Sequence, residues 1–117
     1  MIRFFILCLC FLGFSVQADT LTTKNYVVTI DRHCDEGHVS CSNVSYLGRS
    51  KISGNSIRLK GETLHSLCAD GVTPCRFLGY RFKNEDIQYI VFESGLLQVR
   101  QGTDKILLEE QGVWTYE

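Results

Sequence analysis

Two eight-residue stretches, CDEGHVSC from Cys34 to Cys41 and CADGVTPC from Cys68 to Cys75, repeat one pattern: Cys, any residue, an acid, Gly, three further residues, Cys. The pattern constrains the fold more than any other feature, because cross-linked or metal-bound cysteines dictate which chain segments must meet. The chain has six cysteines. Cys8 and Cys10 lie in an N-terminal stretch with the three parts of a secretory signal: Arg3, an apolar run from Phe4 to Phe14, and Val16-Gln17-Ala18 with small residues where a signal peptidase reads. The apolar run is shorter than the roughly 20 residues that a spanning helix needs. The expectation is a signal peptide over 1–18, cleaved after Ala18, and one domain over 19–117.

Four cysteines then remain. An even number in a short exported chain is the expected signature of a disulfide framework. Zinc is the rival, with His33, His38 and His65 as further ligands. Structural zinc sites place ligand pairs two to four residues apart, whereas six residues separate the cysteines of each stretch here. A redox site would use Cys-x-x-Cys, which is absent. Four cysteines allow three pairings. The repeated spacing favours the local ones, Cys34–Cys41 and Cys68–Cys75, each loop carrying a glycine (Gly37, Gly71) able to take positive φ and reverse the chain. Closing an eight-residue loop is worth ~2.5 kcal/mol in the chain-entropy model. That is a large share of the roughly 5–15 kcal/mol by which a small domain is stable.

Beyond Asn25 the hydrophobic pattern has period two. Tyr26, Val28 and Ile30 share a face, as do Val44 and Tyr46, Ile57 and Leu59, Leu78, Tyr80 and Phe82, and Ile87, Tyr89 and Val91. Leu97 and Val99, Leu107, and Val113 to Tyr116 follow. Such alternation over short runs reads as half-buried strands. SGN at Ser53–Asn55, KNED at Lys83–Asp86, ESG at Glu93–Gly95 and QGTD at Gln101–Asp104 supply turn chemistry between them. Pro74 falls inside the second cysteine loop, and the polar run Asp19 to Asn25 reads as a loose tail. No helical stripe exceeds two turns. The expected fold is all-β: a small antiparallel barrel or sandwich of about seven or eight short strands, stapled by two disulfides. Phe77, Tyr80, Phe82, Tyr89, Phe92, Trp114 and Tyr116 are expected to supply much of its core.

Chemistry-bearing motifs are sparse. Asp31, His33, Ser40 and Ser42 contain the residue types of a nucleophilic triad, but these types are common and their spacing carries no constraint. They read as exposed polar residues beside a disulfide, as does His65. Asp35, Glu36 and Asp70 lack the ligand periodicity of a calcium loop and read as turn-forming acids. There is no phosphate loop, nucleophile elbow or His-Glu-x-x-His. With 12 basic and 13 acidic side chains and no basic cluster, the chain carries no nucleic-acid footprint. No second apolar run offers the mature chain a membrane anchor. The expectation is a non-enzymatic binding module without catalytic residues, metal or cofactor. Its interaction loops would be the cysteine loops with Arg32, His33, His38 and Arg76, facing a protein partner that the sequence does not name. A small-ligand carrier is the alternative of another class.

The stretches YVVTIDRHCDEGHVSCSNVSYLG, CADGVTPCRFLGYRFKN and LLEEQGVW together resemble the Fels prophage protein-like family over nearly the whole of 19–117. The resemblance implies a small exported protein of the bacterial envelope, periplasmic or secreted, and it implies no activity or site residues. A looser likeness, in size, export and β-richness, is to periplasmic lysozyme inhibitors. Likeness at that level is compatible with many functions.

Overall fold

The computed structural model describes residues 18–34 and 40–116. Apart from Ala18, the expected signal peptide lies outside them, and so do Asp35, Glu36, Gly37 and His38. The strands are β1 (Ala18–Thr22), β2 (Tyr26–Arg32), β3 (Val44–Ser50), β4 (Ser56–Leu67), β5 (Pro74–Asn84), β6 (Ile87–Phe92), β7 (Leu96–Gln101), β8 (Lys105–Gln111) and β9 (Val113–Thr115). All-β was expected, and the runs of alternating residues are where the strands form. Every described strand joins one antiparallel sheet in the order β8-β7-β6-β5-β4-β3-β2-β1-β9.

That order closes the sheet. β8 and β9 are one stretch of chain bent at Gly112, so its first part pairs with β7 and its last part with β1. The two ends of the sheet are thereby joined, and the fold is a nearly closed barrel rather than a sandwich. Closure is the most complete way to remove exposed strand edges. Gly112 permits the switch by close approach: a Cβ there would lie 2.6 Å from the Thr22 carbonyl oxygen. Its N–H donates to the Gly95 carbonyl at 2.8 Å, tying the bend to the β6–β7 turn.

Asp19–Thr22 corrects the expectation of a loose tail. These residues are strand β1, held between β2 and β9, with Leu21 fully buried opposite Val28 and Trp114. One buried leucine among polar neighbours is too short a pattern to announce a strand. Pro74 begins β5, a position that loses no ladder bond. The β4–β5 pairing shifts register twice between Leu64 and Leu67.

Inward-facing Leu21, Val28, Ile30, Val44, Tyr46, Tyr80, Phe82, Val91 and Leu97 form the core. Full burial is worth ~1.5–3 kcal/mol for each large apolar side chain. Tyr46 packs at 5.0 Å from Phe82 and 5.5 Å from Tyr89, so an aromatic layer plugs the middle of the barrel. Of the aromatics expected in the core, Phe77, Tyr89 and Trp114 pack partly buried against it. Phe92 sits opposite Gly79 on the outer face, and Tyr116 is exposed, just beyond the last strand. Both disulfides take the local pairing, Cys34–Cys41 and Cys68–Cys75, with Cα separations of 5.9 and 5.1 Å. Gly71 adopts φ +75°.

Candidate functional site

An up-and-down barrel puts alternate turns at opposite ends. The end reached by β2, β4 and β6 therefore gathers both disulfides, the Glu93–Gly95 turn, the start of β1 and the end of β9. Above the aromatic plug this disulfide end opens into a cavity of about 400 Å³.

Arg32 is the central group of that cavity. It pairs with Val44, whose side chain is fully buried, so the guanidinium projects to the inside at the mouth. Its Cζ lies 4.9 Å from the Phe77 ring centroid and 5.3 Å from that of Tyr80, and its Nε donates to the Tyr80 hydroxyl at 3.2 Å. A cation over two rings is held by their quadrupoles. Burial raises the Tyr80 pKa despite that cation, so the phenol stays neutral. Asp19 and Glu93 also line the cavity. Burial raises the Asp19 carboxyl; Arg32 pulls it down and Asp31 pushes it up. Trp114 forms a further wall, its indole N–H donating to the Phe92 carbonyl at 3.3 Å. The mouth thus combines a fixed cation, two acids and exposed aromatic faces.

The rim is apolar in places. Val72 is 78% exposed, Tyr116 66% and Leu67 58%. The loop that presents Val72 is tied internally: the Asp70 carboxylate accepts bonds from the Thr73 hydroxyl, the Thr73 N–H and the Val72 N–H. Led by the Thr73 hydroxyl, these bonds hold its pKa at about 2. Cys41 of the other disulfide is held by Thr63, whose hydroxyl accepts from the Cys41 N–H at 2.9 Å.

The expected interaction residues separate. Arg32 enters the cavity, and Arg76 lies on the adjoining rim with Phe77 and Glu93. His33 faces the other side of β2, its Nε2 2.7 Å from Ser45 Oγ. His38 is outside the described residues. His65 corrects its expected exposure: it is half-buried, edge-on to Phe77 at 5.6 Å, with Nδ1 buried and unpartnered. The contributions of Asp19, Trp114 and Tyr116 escaped the sequence reading because closure through β9 brings them together. Among the described residues no group of three His, Cys, Asp or Glu side chains is placed to hold a metal, and no helix is long and apolar enough to cross a membrane. The disulfides point to an oxidising, extracytoplasmic setting. No family model, curated protein or solved structure matches this chain.

Proposed function

We infer that this protein is a binding module of the bacterial envelope, periplasmic or secreted, which engages a protein partner through its disulfide end. The observation that carries this reading is convergence: both disulfides, the Arg32 cavity and exposed Leu67, Val72 and Tyr116 share one rim. Exposed apolar and aromatic side chains around a fixed arginine are the composition of protein interfaces. The Cys68–Cys75 loop, already held by its disulfide and by Asp70, loses little freedom on docking. Export and an envelope role rest on the three-part N-terminal signal and on the resemblance to Fels prophage-like proteins.

The test uses oxidised protein as bait against envelope extract and against a panel of purified lysozymes. Val72→Glu and Leu67→Glu place charge on exposed positions without touching the core, and Ile52→Glu does the same at the opposite end, where Ile52 is 82% exposed. The expected result is a stoichiometric partner whose affinity falls at least tenfold with the rim variants and is unchanged with Ile52→Glu. Lysozyme inhibition with the same pattern would identify that partner class. Binding indifferent to the rim variants would refute the assignment to this end.

A further inference from the structure

A second cavity, of about 460 Å³, lies below the aromatic plug and opens at the end away from the disulfides. It exists because the wall is incomplete there. β8 pairs with β7 along Lys105–Gln111, but only the β9 part of the bent strand reaches β1. Between the first half of β8 and the tip of the β3–β4 hairpin the barrel interior is reached from outside, past Leu107 and Asn55.

The lining is of one chemical kind. Inward-facing Tyr26, Tyr46, Ile57, Tyr89, Val99 and Leu108 make most of the surface, and among the described residues no charged side chain lines it. The polar groups in the wall include three phenols. Among tyrosine hydroxyls of the described residues, that of Tyr80 receives a hydrogen bond from a protein side chain; those of Tyr26, Tyr46 and Tyr89 are free to bond a guest. Burial raises the pKa values of Tyr46 and Tyr89, so these hydroxyls remain neutral donors. Gly48 makes room for one wall of the cavity: a Cβ there would lie 2.7 Å from the Tyr46 ring, which lies across it. A volume within the roughly 300–1,000 Å³ of small-molecule sites, apolar walls and a few polar groups are the ordinary attributes of such a site. A charged guest would lose its hydration without finding a counter-charge.

We propose that this cavity is a binding site for a small, uncharged, predominantly apolar molecule, received between β8 and the β3–β4 hairpin and separate from the protein-binding rim. A matched pair of fluorophores tests it: N-phenyl-1-naphthylamine, which is neutral, and its sulfonated analogue 8-anilino-1-naphthalenesulfonate, which carries a negative charge on the same body. Titrated into the oxidised protein, the neutral probe saturates at one per chain and binds at least tenfold tighter than the anion. Val99→Phe, which fills the cavity, lowers its affinity at least tenfold, and Val72→Glu at the other end leaves it unchanged. If Val99→Phe does not fold, Leu108→Phe takes its place, and chemical-shift changes on adding the neutral probe to wild type must centre on Tyr89, Val99 and Leu108. Equal binding of the two probes, no saturable binding, or shifts centred on Phe77 and Trp114 would overturn the proposal. So would saturation at one probe per two chains with a doubled sedimenting mass, which would make the occupant a second copy of the chain.

Discussion

Arg32 and Glu110 are charged side chains on the inward-facing side of their strands, and each marks a place where the barrel wall or mouth needs a polar group. Arg32 lies two residues before Cys34 in the sequence, whereas its rings, Phe77 and Tyr80, come from a strand far along the chain. Glu110 sits opposite fully buried Leu97 and closes the seam. Its carboxylate accepts from the Thr23 hydroxyl at 2.7 Å, the Asn25 side-chain amide at 2.7 Å and the Asn25 N–H at 3.1 Å. Burial opposes its ionisation, and these bonds outweigh burial, so its pKa lies below the ordinary 4.5. A depressed pKa gives stability that is present above the unfolded value and lost as pH falls through the folded one. Glu110→Ala is therefore expected to cost about 1.5 kcal/mol at pH 7, the low end of the scale for hydrogen bonds to a charged group because solvent screens this carboxylate, with the difference from wild type shrinking below pH 4.5. Urea unfolding of both proteins from pH 3 to 7 measures this. Taking the difference cancels the acid sensitivity of Asp70, which both proteins share. A difference that stays constant with pH would remove the carboxylate from the account.

At the scale of elements, alternation announced the strands from β2 onward because each shows one face to a packed interior and one to water. Tyr26, Val28 and Ile30 mark β2 in this way, as Ile87, Tyr89 and Val91 mark β6. The turns were legible from their glycines: Gly54, Gly95 and Gly102 all adopt positive φ. The partner switch at Gly112 left no local signal, because it depends on the Thr22 carbonyl reaching within 2.6 Å of where a side chain would begin. Any side chain there must push the bend away from β1 and the turn that follows it. Gly112→Ala is thus expected to destabilise by about 1–3 kcal/mol, as overpacking does, and to loosen β9 first. The chain has a single tryptophan, Trp114, placed on β9. Its emission should shift to the red and become quenchable by iodide in Gly112→Ala, while far-ultraviolet circular dichroism keeps the strand signal. Unchanged tryptophan emission would show that the bend tolerates a methyl group.

For the whole molecule, closure by three residues governs the behaviour of the rest. Val113–Thr115 cover one edge of β1, the shortest strand apart from β9 itself. Without them β1 would present a free edge, and Leu21 would lose Trp114 from across the seam. The mouth would go as well, since Trp114 and Tyr116 wall the Arg32 cavity, whereas the apolar cavity at the other end is lined by β2, β3, β4, β6, β7 and β8 and by no residue of β9. Ending the chain after Gln111 therefore predicts two separable consequences. The first is association: an unpaired strand edge recruits another chain, so the truncated protein should sediment as dimers or larger species at concentrations where the full chain is monomeric. The second is selective loss of function, with partner binding at the disulfide end abolished and neutral-probe binding at the far end retained in whatever fraction stays folded. Sedimentation velocity and the two binding assays on the same preparation decide both. A truncated protein that stays monomeric and keeps its partner would mean that β9 is dispensable both to closure of the barrel and to the mouth.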